Sequence, residues 1–425
     1  MELKVDLDGA RVVHGVDPES QVVVMKFGGT SVADPTRIQN AARKAVEARK
    51  NGHDVVVVVS AMGDTTDHLL DLAAMITPNP DKRELDMLLS TGELASSALM
   101  CMAIQKLGCP AISMSGPQAG IITDGTHTKA RIQRIERRAI MEQLRAGKVV
   151  VVAGYQGVHN GDVTTLGRGG SDTTAVALAA ALGASRCEIY TDVDGVYTAD
   201  PRLVPDASHI NAISYDEMVE MASLGARVMQ PRSVELARKY GVQIVVLSSL
   251  VDKPGTIIGE VHGSMMEGPS VRAVTHSADE VKLVIKGVPD TPGVAARVFR
   301  NLASGAVNVD MIIQSLKRGN VNDIAFTVSH EDLANALEIC NRLCQELGAE
   351  QVVVDDNVAK VSVVGAGIWQ DTSVAADVFE ALAEQGINID MINTSGTRIS
   401  CLIDRSKVET AVRALHARFG LANGK

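Results

Sequence analysis

Aromatic residues and long apolar runs are scarce in this sequence. Only 3% of its 425 residues are aromatic, with a single Trp, although 46% are hydrophobic. The cores of the fold must therefore be built mainly from Val, Ile, Leu, Ala and Met. No uninterrupted apolar run reaches the roughly 18–20 residues that a membrane-spanning helix needs, so we expect no membrane span.

Cysteines are few and form no recognisable pairs in the sequence. The six thiols are spread along the chain without a CxxC motif, and a chain of this length does not need disulfides as staples. Cys340 and Cys344 share one helical face, where a zinc pair is one alternative and two packed thiols are the preferred one. We therefore expect reduced thiols and a cytoplasmic protein.

Positive charge is not in excess. The chain has 41 Lys and Arg against 51 Asp and Glu, which gives a formal charge of −10. Nucleic-acid-binding domains usually show a basic stripe, so we expect no nucleic-acid partner. Residues 1–20 contain acidic residues and no signal-type apolar stretch, and we expect them to form an N-terminal extension outside the main fold.

The motifs of several enzyme classes are missing. The P-loop pattern GxxxxGK[ST], the metalloprotease pattern HExxH and the hydrolase pattern GxSxG occur nowhere in the chain. The nearest approach to the dinucleotide-binding GxGxxG has Gln370 where the third Gly belongs. We therefore expect neither NAD nor a dedicated metal site, although magnesium brought by a nucleotide needs no protein cage.

What the sequence does contain is a regular alternation of short β-branched runs with Ala- and Leu-rich helical segments. The runs include VVVMKF (22–27), DVVVVVS (54–60), KVVVVAGY (148–155) and CEIYTDV (187–193). They lack in/out alternation, as expected for strands buried on both faces of a parallel sheet. The pattern predicts a three-layer αβα domain over residues 21–260, with ligands bound beyond the carboxyl ends of the strands.

Three loops at these strand ends carry unusual polar residues. The first reads KFGGTS (26–31), where a Gly turn with a solvated Lys is an even alternative to an anion site. The second, TTLGRGGSDTT (164–174), leads into a helix; capping by Ser171 or Asp172 alone does not account for Arg168 and three glycines. The third reads TDVDGVYTADPR (191–202). We therefore predict an anion-binding site built from these loops.

Taken with VSAMGDTTD (59–67) and STGE (90–93), these loops resemble those of the aspartate kinase family, within the amino-acid kinase superfamily. The similarity runs in register from about Val22 to the C-terminus. The resemblance implies ATP- and Mg2+-dependent phosphorylation of the side-chain carboxylate of L-aspartate to 4-phospho-L-aspartate. That reaction is the entry step to lysine, threonine, methionine and diaminopimelate.

The resemblance also implies roles for individual residues. Lys26 would neutralise the transferring phosphoryl group, and Asp172 would orient Lys26 or the metal. Glu93 would hold the substrate ammonium and Arg168 a substrate carboxylate. Further substrate contacts would come from Ser60, Thr65 and Ser171, and nucleotide contacts from Gly28, Gly29, Thr191, Asp192, Tyr197, Arg202 and Arg227. At Arg227 the family often has Lys, and the two are not interchangeable at close contacts.

The C-terminal part contains an internal repeat with a spacing of 80 residues. NVDMIIQS (308–315) recurs as NIDMINTS (388–395), and each copy reads as a ferredoxin-like βαββαβ unit. We predict a first unit over 271–350 and a second over 351–425, with residues 271–276 completing the sheet of the second and 351–356 that of the first.

These repeats resemble the ACT domains of aspartate kinases, which bind pathway amino acids as feedback inhibitors. The resemblance implies lysine, threonine or both as effectors. Candidate effector contacts are Asp290, Asn308, Asp310, Gln314, Asn388, Ile389, Asp390 and Ser395. The first copy has Asp290-Thr291-Pro292-Gly293 where the second lacks the Pro-Gly, so two unequal pockets or one functional pocket both fit.

Alternatives to this function remain at the level of the sequence. A kinase for glutamate or N-acetylglutamate would share the fold, and a catalytically inactive amino-acid sensor would share the scaffold. We expect a homo-oligomer formed through the ACT-type units. An internal start near Met265 would produce a separate regulatory chain.

Overall fold

The computed structural model describes residues 21–226, 228–260, 271–316, 318–368 and 371–422. The predicted N-terminal extension and the predicted internal start near Met265 lie outside these residues. The described chain divides into two compact units. The second unit includes the repeats and also two short segments from within 21–260, Tyr197–Ser208 and Leu224–Ala226.

The first part of the chain alternates strands and helices. Its elements are β1 (Val22–Phe27), α1 (Pro35–Lys50), β2 (Asp54–Val59), α2 (Thr65–Ile76), α3 (Lys82–Lys106), β3 (Ala111–Met114), β4 (Ile121–Thr123), β5 (Ile132–Ile135), α4 (Arg138–Arg145), β6 (Val149–Ala153), β7 (Gln156–His159), β8 (Asp162–Thr165), α5 (Gly170–Leu182), β9 (Arg186–Thr191), β10 (Val196–Tyr197), β11 (His209–Ile210), β12 (Ala212–Ser214), α6 (Tyr215–Ser223), α7 (Pro231–Tyr240), β13 (Ile244–Ser248) and β14 (Thr256–Gly259).

Eight of these strands form the main sheet, in the order β12-β14-β13-β9-β1-β2-β6-β3. Only the β13–β14 pair within it is antiparallel. A smaller sheet has the order β5-β4-β7-β8. Helices α1 and α3 pack together, as do α5 and α7. This arrangement confirms the predicted αβα fold with a mainly parallel sheet.

The central strand β1 shows why the sheet needs two helical layers. Val23, Met25 and Phe27 belong to a core that includes residues of α1 and α3. Because successive side chains of a strand point to opposite faces, Lys26 points to the other face, where α5 packs against β1. The alternation thus places one lysine under the start of α5.

Helix α3 has an unusual distribution of residues. Its buried positions include Asp86, Ser90, Glu93, Ser96 and Ser97, so much of its inward face is polar. It is long and apolar enough by composition to cross a membrane, and half of its most apolar window is buried. We expect no membrane span, because no uninterrupted apolar run is long enough. Helix α3 reaches the hydropathy of a membrane-spanning helix only as an average over the helix, since Ser, Thr and Gly interrupt its apolar runs. A buried helix of a soluble domain can reach the same average.

The repeat region folds into two four-stranded sheets. Its elements are β15 (Ala273–Ser277), β16 (Val281–Pro289), α8 (Val294–Ser304), β17 (Ile312–Gln314), β18 (Val321–Val328), α9 (Leu333–Leu347), β19 (Gln351–Asp355), β20 (Val358–Val364), α10 (Thr372–Glu384), β21 (Ile389–Thr394), β22 (Arg398–Asp404) and α11 (Val408–Arg418).

The two sheets exchange their flanking strands. One has the order β17-β18-β16-β19 and the other β15-β20-β22-β21. Strand β15 precedes the first repeat but pairs with β20, and β19 follows the first repeat's helices and pairs with β16. Met311 and Met391, one from each repeat, share a small core with Val358 and Leu402. The repeats are therefore ferredoxin-like units, as the fold class predicts.

Candidate active site

Strands β9, β1 and β2 bring the first and third predicted loops to one edge of the main sheet, whereas the loop that carries Arg168 follows β8 of the smaller sheet. Strand β1 lies between β9 and β2, and Lys26 is level with Ile189 and Val58. The carboxyl ends of β9, β1 and β2 therefore meet, and their next residues follow there. Chain order alone could not establish this adjacency, because β9 is far from β1 in the sequence.

Lys26 and Asp172 form a buried ion pair. The Lys26 Nζ lies 2.5 Å from Asp172 Oδ1, and each side chain is 11% exposed. Asp172 lies in the first turn of α5, whose helix N-terminus favours negative charge. The pair holds one positive charge at a fixed point beside the end of β1.

The two glycines of the first loop are placed differently. The Gly28 amide donates a hydrogen bond to the Tyr190 carbonyl, so a phosphate contact at this amide would require that bond to open. A Cβ at Gly28 would lie 3.4 Å from the Lys26 Nζ. The Gly29 carbonyl accepts from the Gly63 amide, which joins the loops after β1 and β2.

Glu93 is a buried carboxylate with one oxygen left over. Its Oε1 accepts from the Ala61 amide at 3.2 Å, whereas Oε2 has no hydrogen-bond partner among the described residues. Burial raises the pKa of Glu93 to about 7. Gly92 allows this approach, because a Cβ there would lie 2.8 Å from the Ala61 Cβ. A buried acid of this kind is stabilised in its charged form by a nearby cation.

The hydroxyl residues predicted to contact substrate, Ser60, Thr65 and Ser171, each contact other residues of this domain. The Thr65 hydroxyl donates to the Met62 carbonyl at 2.6 Å, and the Ser60 carbonyl accepts from Ser96 on α3 at 2.7 Å. Ser171 is buried at the start of α5, where a Cβ on Gly154 would lie 2.9 Å from it.

The loop that carries Arg168 is anchored on its N-terminal side. Arg168 itself is exposed. Thr165, just before the loop, donates to the buried Asp86 at 2.5 Å. Arg232 donates to the carbonyls of Leu166 and Ala130, at 2.9 and 3.0 Å. These anchors hold the backbone that leads into the Gly-rich segment with Arg168.

The backbone at Gly169 requires glycine. Its φ of 67° lies in the left-handed region, and a Cβ there would come within 1.9 Å of Gln230. No other residue fits this conformation and this approach. The loop therefore passes close to the segment that begins α7.

Sequence reasoning missed four residues of this site: Asp86, His127, Tyr155 and Arg232. Asp86 also accepts from His127 Nδ1 at 2.6 Å. Asp86 lies seven residues before Glu93 on α3, which places both carboxylates on one face of the helix. That spacing was a signal by which the sequence could have indicated Asp86. Tyr155 has a φ of 68°, a strained conformation for an aromatic residue. Burial raises the pKa of its phenol, and the charges of Glu93 and Asp86 raise it further; the local sequence does not indicate this strained and buried position.

The predicted nucleotide contacts belong to different compact units of the chain. Thr191 ends β9, and its hydroxyl donates to Asp192 at 3.1 Å. Tyr197 and Arg202 belong to the second compact unit, where Arg202 forms a bidentate pair with Asp200 and lowers the pKa of that carboxyl. Arg227 lies outside the described residues.

No group of three or more metal-ligating side chains is present in the part of the chain that the structure describes. Asp172 at the start of α5 and Asp192 directly after β9 provide carboxylates in two of the predicted loops. Such a set suits Mg2+, which commonly takes one or two protein carboxylates and completes its shell with phosphate oxygens and water.

In the repeats, a pocket of about 420 Å³ opens beside β16 and α8, within the size range of small-ligand sites. Its lining includes Asp290, Thr291, Gly293, Gln314 and Asn322. Asn322 donates to Asp290 at 3.2 Å. Two predicted effector contacts, Asp290 and Gln314, thus line one pocket with the residues of the first copy's Pro-Gly turn.

The repeated aspartates have partners within the protein. Asp310 pairs with Lys360 and Asp390 with Lys282. Lys360 is on β20 and Lys282 on β16, so each aspartate pairs with a lysine from the first strand of the other repeat. Of the remaining predicted contacts, Asn308 and Asn388 are exposed, Ile389 is half-buried in a core of the second repeat, and the Ser395 amide donates to Arg398.

Comparisons with known proteins agree over nearly the whole chain. Residues 21–248 match the amino acid kinase family, and residues 281–343 and 361–419 match the ACT domain. The aspartokinase of Mycolicibacterium smegmatis is 52% identical over 405 residues, covering 94% of this chain and 96% of that protein. The aspartokinase of Pseudomonas aeruginosa is 51% identical over 402 residues, covering 94% and 98%.

A solved structure is similar over the same extent. E. coli aspartokinase III in complex with aspartate and ADP, in its R-state, has a TM-score of 0.78 at 28% identity. The match covers 93% of this chain and 99% of that one. The same enzyme in complex with lysine and aspartate, in its T-state, has a TM-score of 0.72 at 27% identity, covering 94% and 100%.

Proposed function

The chain belongs to the aspartokinase family, and from this premise we propose that it transfers the γ-phosphoryl group of ATP to the side-chain carboxylate of L-aspartate. The observation that carries the proposal is Glu93, a buried carboxylate with an unbonded oxygen and a pKa of about 7. Such a group is suited to bind the ammonium of an amino acid, and Arg168 supplies the complementary charge for a carboxylate.

The reaction needs charge neutralisation more than acid–base chemistry. A free carboxylate has a pKa near 4, so the nucleophile is already ionised at pH 7. It must be brought in line with a polyanion, which is achieved by positioning and by fixed positive charge. Lys26 supplies that charge, and Asp172 holds its ammonium in place rather than acting as a base.

ATP is the phosphoryl donor in this proposal, with Mg2+ bound through its phosphates. Asp172 and Asp192 are the carboxylates that would hold the ion. When bound, magnesium neutralises part of the phosphate charge. The chain's own residues provide the remaining contacts, with Gly29, Thr191 and the start of α5 lining the phosphate side.

The test is ADP release from Mg-ATP with L-aspartate, L-glutamate and N-acetyl-L-glutamate as acceptors. We expect turnover with aspartate and at least a hundredfold lower kcat/KM with the others. Lys26→Met should abolish turnover while retaining the wild-type circular dichroism. The control Lys44→Met, in the same domain, should retain turnover. Wild-type activity in Lys26→Met, or a preference for glutamate or its acetylated form, would refute the proposal; inactivity with all three would support a sensor.

We propose in addition that the pocket beside Asp290 and Gln314 binds lysine or threonine as a feedback effector. Its polar lining and its size support this assignment. The second repeat lacks the Pro-Gly turn that lines this pocket, which favours one principal site. A cytoplasmic homo-oligomer formed through the ACT-type units completes the proposal.

A further inference from the structure

A small apolar cavity lies on the kinase domain beside the smaller sheet, where β5, α5 and α7 meet. Its lining includes Ile132, Ile135, Ala177, Ala180, Leu236 and Tyr240. Its volume is about 30 Å³, far below the roughly 300–1,000 Å³ of small-molecule pockets. A cavity of this size accepts the end of one aliphatic side chain. A polypeptide segment therefore fits it, and a metabolite does not.

Strand β5, which forms one wall of this cavity, is an edge strand. It pairs with β4 on one side, and no described strand pairs with its other side. An edge strand presents unpaired backbone N–H and C=O groups, to which an extended segment can add. The side chains of Ile132 and Ile135 are only partly buried. The strand therefore offers backbone hydrogen bonds beside an apolar cavity.

The first residues of the chain have the sequence pattern of a half-buried strand. The segment MELKVDLDG (1–9) alternates apolar and charged residues, with Leu3, Val5 and Leu7 in phase, and it ends in Asp-Gly, a common turn signal. The match to the amino acid kinase family begins only at residue 21, so the family's fold does not account for this pattern. An apolar strand face needs a surface that covers it.

We propose that residues 3–7 add to the free edge of β5 as an extra strand and place an aliphatic side chain in the cavity. The charges of the two segments are complementary. Residues 131–138 contain four Arg and one Glu, although the whole chain has a formal charge of −10. Residues 1–8 contain three acidic residues and one Lys. An acidic segment is therefore attracted to a basic stretch of an otherwise acidic protein.

The start of the described chain is close to this cavity. The Val22 carbonyl, at the beginning of β1, accepts a hydrogen bond from the Ser185 amide at 2.9 Å. Ser185 follows the end of α5, where Ala181 lines the cavity and its carbonyl accepts from Arg137 at 3.3 Å. Residues 8–21 span up to about 45 Å when extended. The segment is therefore long enough to reach β5 of its own chain.

Docking at this position should leave the chemistry of the active site unchanged. Asp172 is in the first turn of α5, whereas Ala181 is at the other end of that helix, about 13.5 Å further along its axis. We therefore expect changes in the segment to alter its protection from solvent and to leave the turnover of aspartate at the wild-type value. The proposal and the kinase activity can thus fail independently.

The first test is hydrogen exchange of the full-length chain, followed by mass spectrometry. In the wild type, the amides of residues 3–7 should exchange at least about tenfold more slowly than in a synthetic peptide of residues 1–12. Val5→Asp places a charge on the apolar face and should remove this protection, together with part of the protection of β5. The matched control Lys4→Asp introduces the same side chain on the other face and should retain both. Free exchange of residues 3–7 in the wild type, or equal losses in the two variants, would overturn the proposal.

The second test changes the cavity and leaves the segment intact. Leu236→Asp should make residues 3–7 exchange as the synthetic peptide does, whereas Glu235→Asp, at the exposed neighbouring position, should preserve their protection. Both variants should keep the wild-type circular dichroism. Docking within one chain is independent of concentration, so the wild-type protection should persist on dilution. Protection that disappears on dilution would assign the cavity to the segment of a second copy and contradict the proposal, as would unchanged protection in Leu236→Asp.

Discussion

At the scale of single residues, Glu93 gives the clearest functional prediction. Burial raises its pKa to about 7, so it is protonated below that pH in the free protein. Binding of an ammonium group favours the carboxylate form. We therefore expect the KM for aspartate to rise about tenfold per pH unit as the pH falls below 7 and to be level above it.

The measurement is KM against pH from about 5.5 to 8.5, with L-aspartate, whose carboxyl groups titrate outside this range. Glu93→Gln should raise KM and remove the pH dependence. Glu217→Gln, a change at another buried glutamate bonded to Ser214, should keep the wild-type profile. A flat wild-type profile would show that Glu93 does not bind the ammonium.

Arg232 is a positioning residue whose effect should be seen through Arg168. Arg232→Met removes the two hydrogen bonds that hold the Leu166 and Ala130 carbonyls. We expect a 10- to 100-fold loss of kcat/KM for aspartate, mainly in KM, since small displacements of a binding group are costly. Arg238→Met, on the same helix but exposed, is the control. Equal effects of both variants would contradict this role.

Local sequence patterns predict Lys26, Arg168 and Asp172 as site residues, and the resemblance to aspartate kinases adds Glu93. The loops around them have Gly, Ser and charged residues in patterns that ordinary turns do not require. Arg232 could not be found in this way, because its partner Leu166 is 66 residues away. Asp86 shares a helical face with Glu93, but its partner Thr165 is 79 residues away, so its hydrogen bond could not be predicted. The strained backbone of Tyr155 has no signature in its neighbours.

At the scale of elements, the pairing of lysines with the repeated aspartates has a measurable energetic consequence. Lys360 on β20 is almost fully buried between Asp310 and Glu280, whose Oε1 is 2.7 Å from its Nζ. Lys360→Met would leave Glu280 buried without a counter-charge. We expect a loss of about 3–5 kcal/mol in the free energy of unfolding, measured by urea denaturation.

Lys282→Met is the matched control for that change. Lys282 occupies the corresponding strand of the other repeat, but its partners Asp390 and Asp355 are both more than 40% exposed. Water can solvate these carboxylates when the lysine is removed, so the loss should be clearly smaller. Equal losses at the two positions would show that burial does not decide the effect.

Helices, strands and units were predictable where the sequence has one clear local pattern. Continuous β-branched runs identified the buried strands, and the 80-residue repeat identified the ferredoxin-like units. Helix α3 was harder to interpret, because its buried face contains Asp86, Ser90 and Glu93 while several of its large apolar residues face outward. An amphipathic pattern normally has the opposite orientation; the polar face is required here by the site.

At the scale of the whole molecule, the two repeats should respond differently to an effector. We expect lysine or threonine to inhibit aspartate turnover and to raise the melting temperature, because a ligand that binds only the folded state stabilises it by about 2.7 kcal/mol at a hundredfold excess over Kd. Gln314→Ala should weaken both effects. Thr394→Ala, at the equivalent position of the second repeat, should preserve them.

The regulatory proposal also has a decisive negative outcome. An effector controls turnover only by binding two states of the protein with different affinity. If neither amino acid, alone or together with the other, changes turnover or melting temperature in the wild-type chain, the pocket is not a feedback site. Equal effects of Gln314→Ala and Thr394→Ala would instead indicate that both repeats bind.

The sequence by itself determined the strand and helix order, the repeat and the chemistry of the loops, because each depends on residues close together in the chain. It also identified NxDMI as a shared motif. Only the tertiary structure decided the ionisation of Glu93 and the partners of Asp310 and Asp390, since burial and charge pairing depend on which distant segments pack together. The same holds for the exposed apolar residues of α3, because the face of a helix that is covered is decided by the elements packed against it.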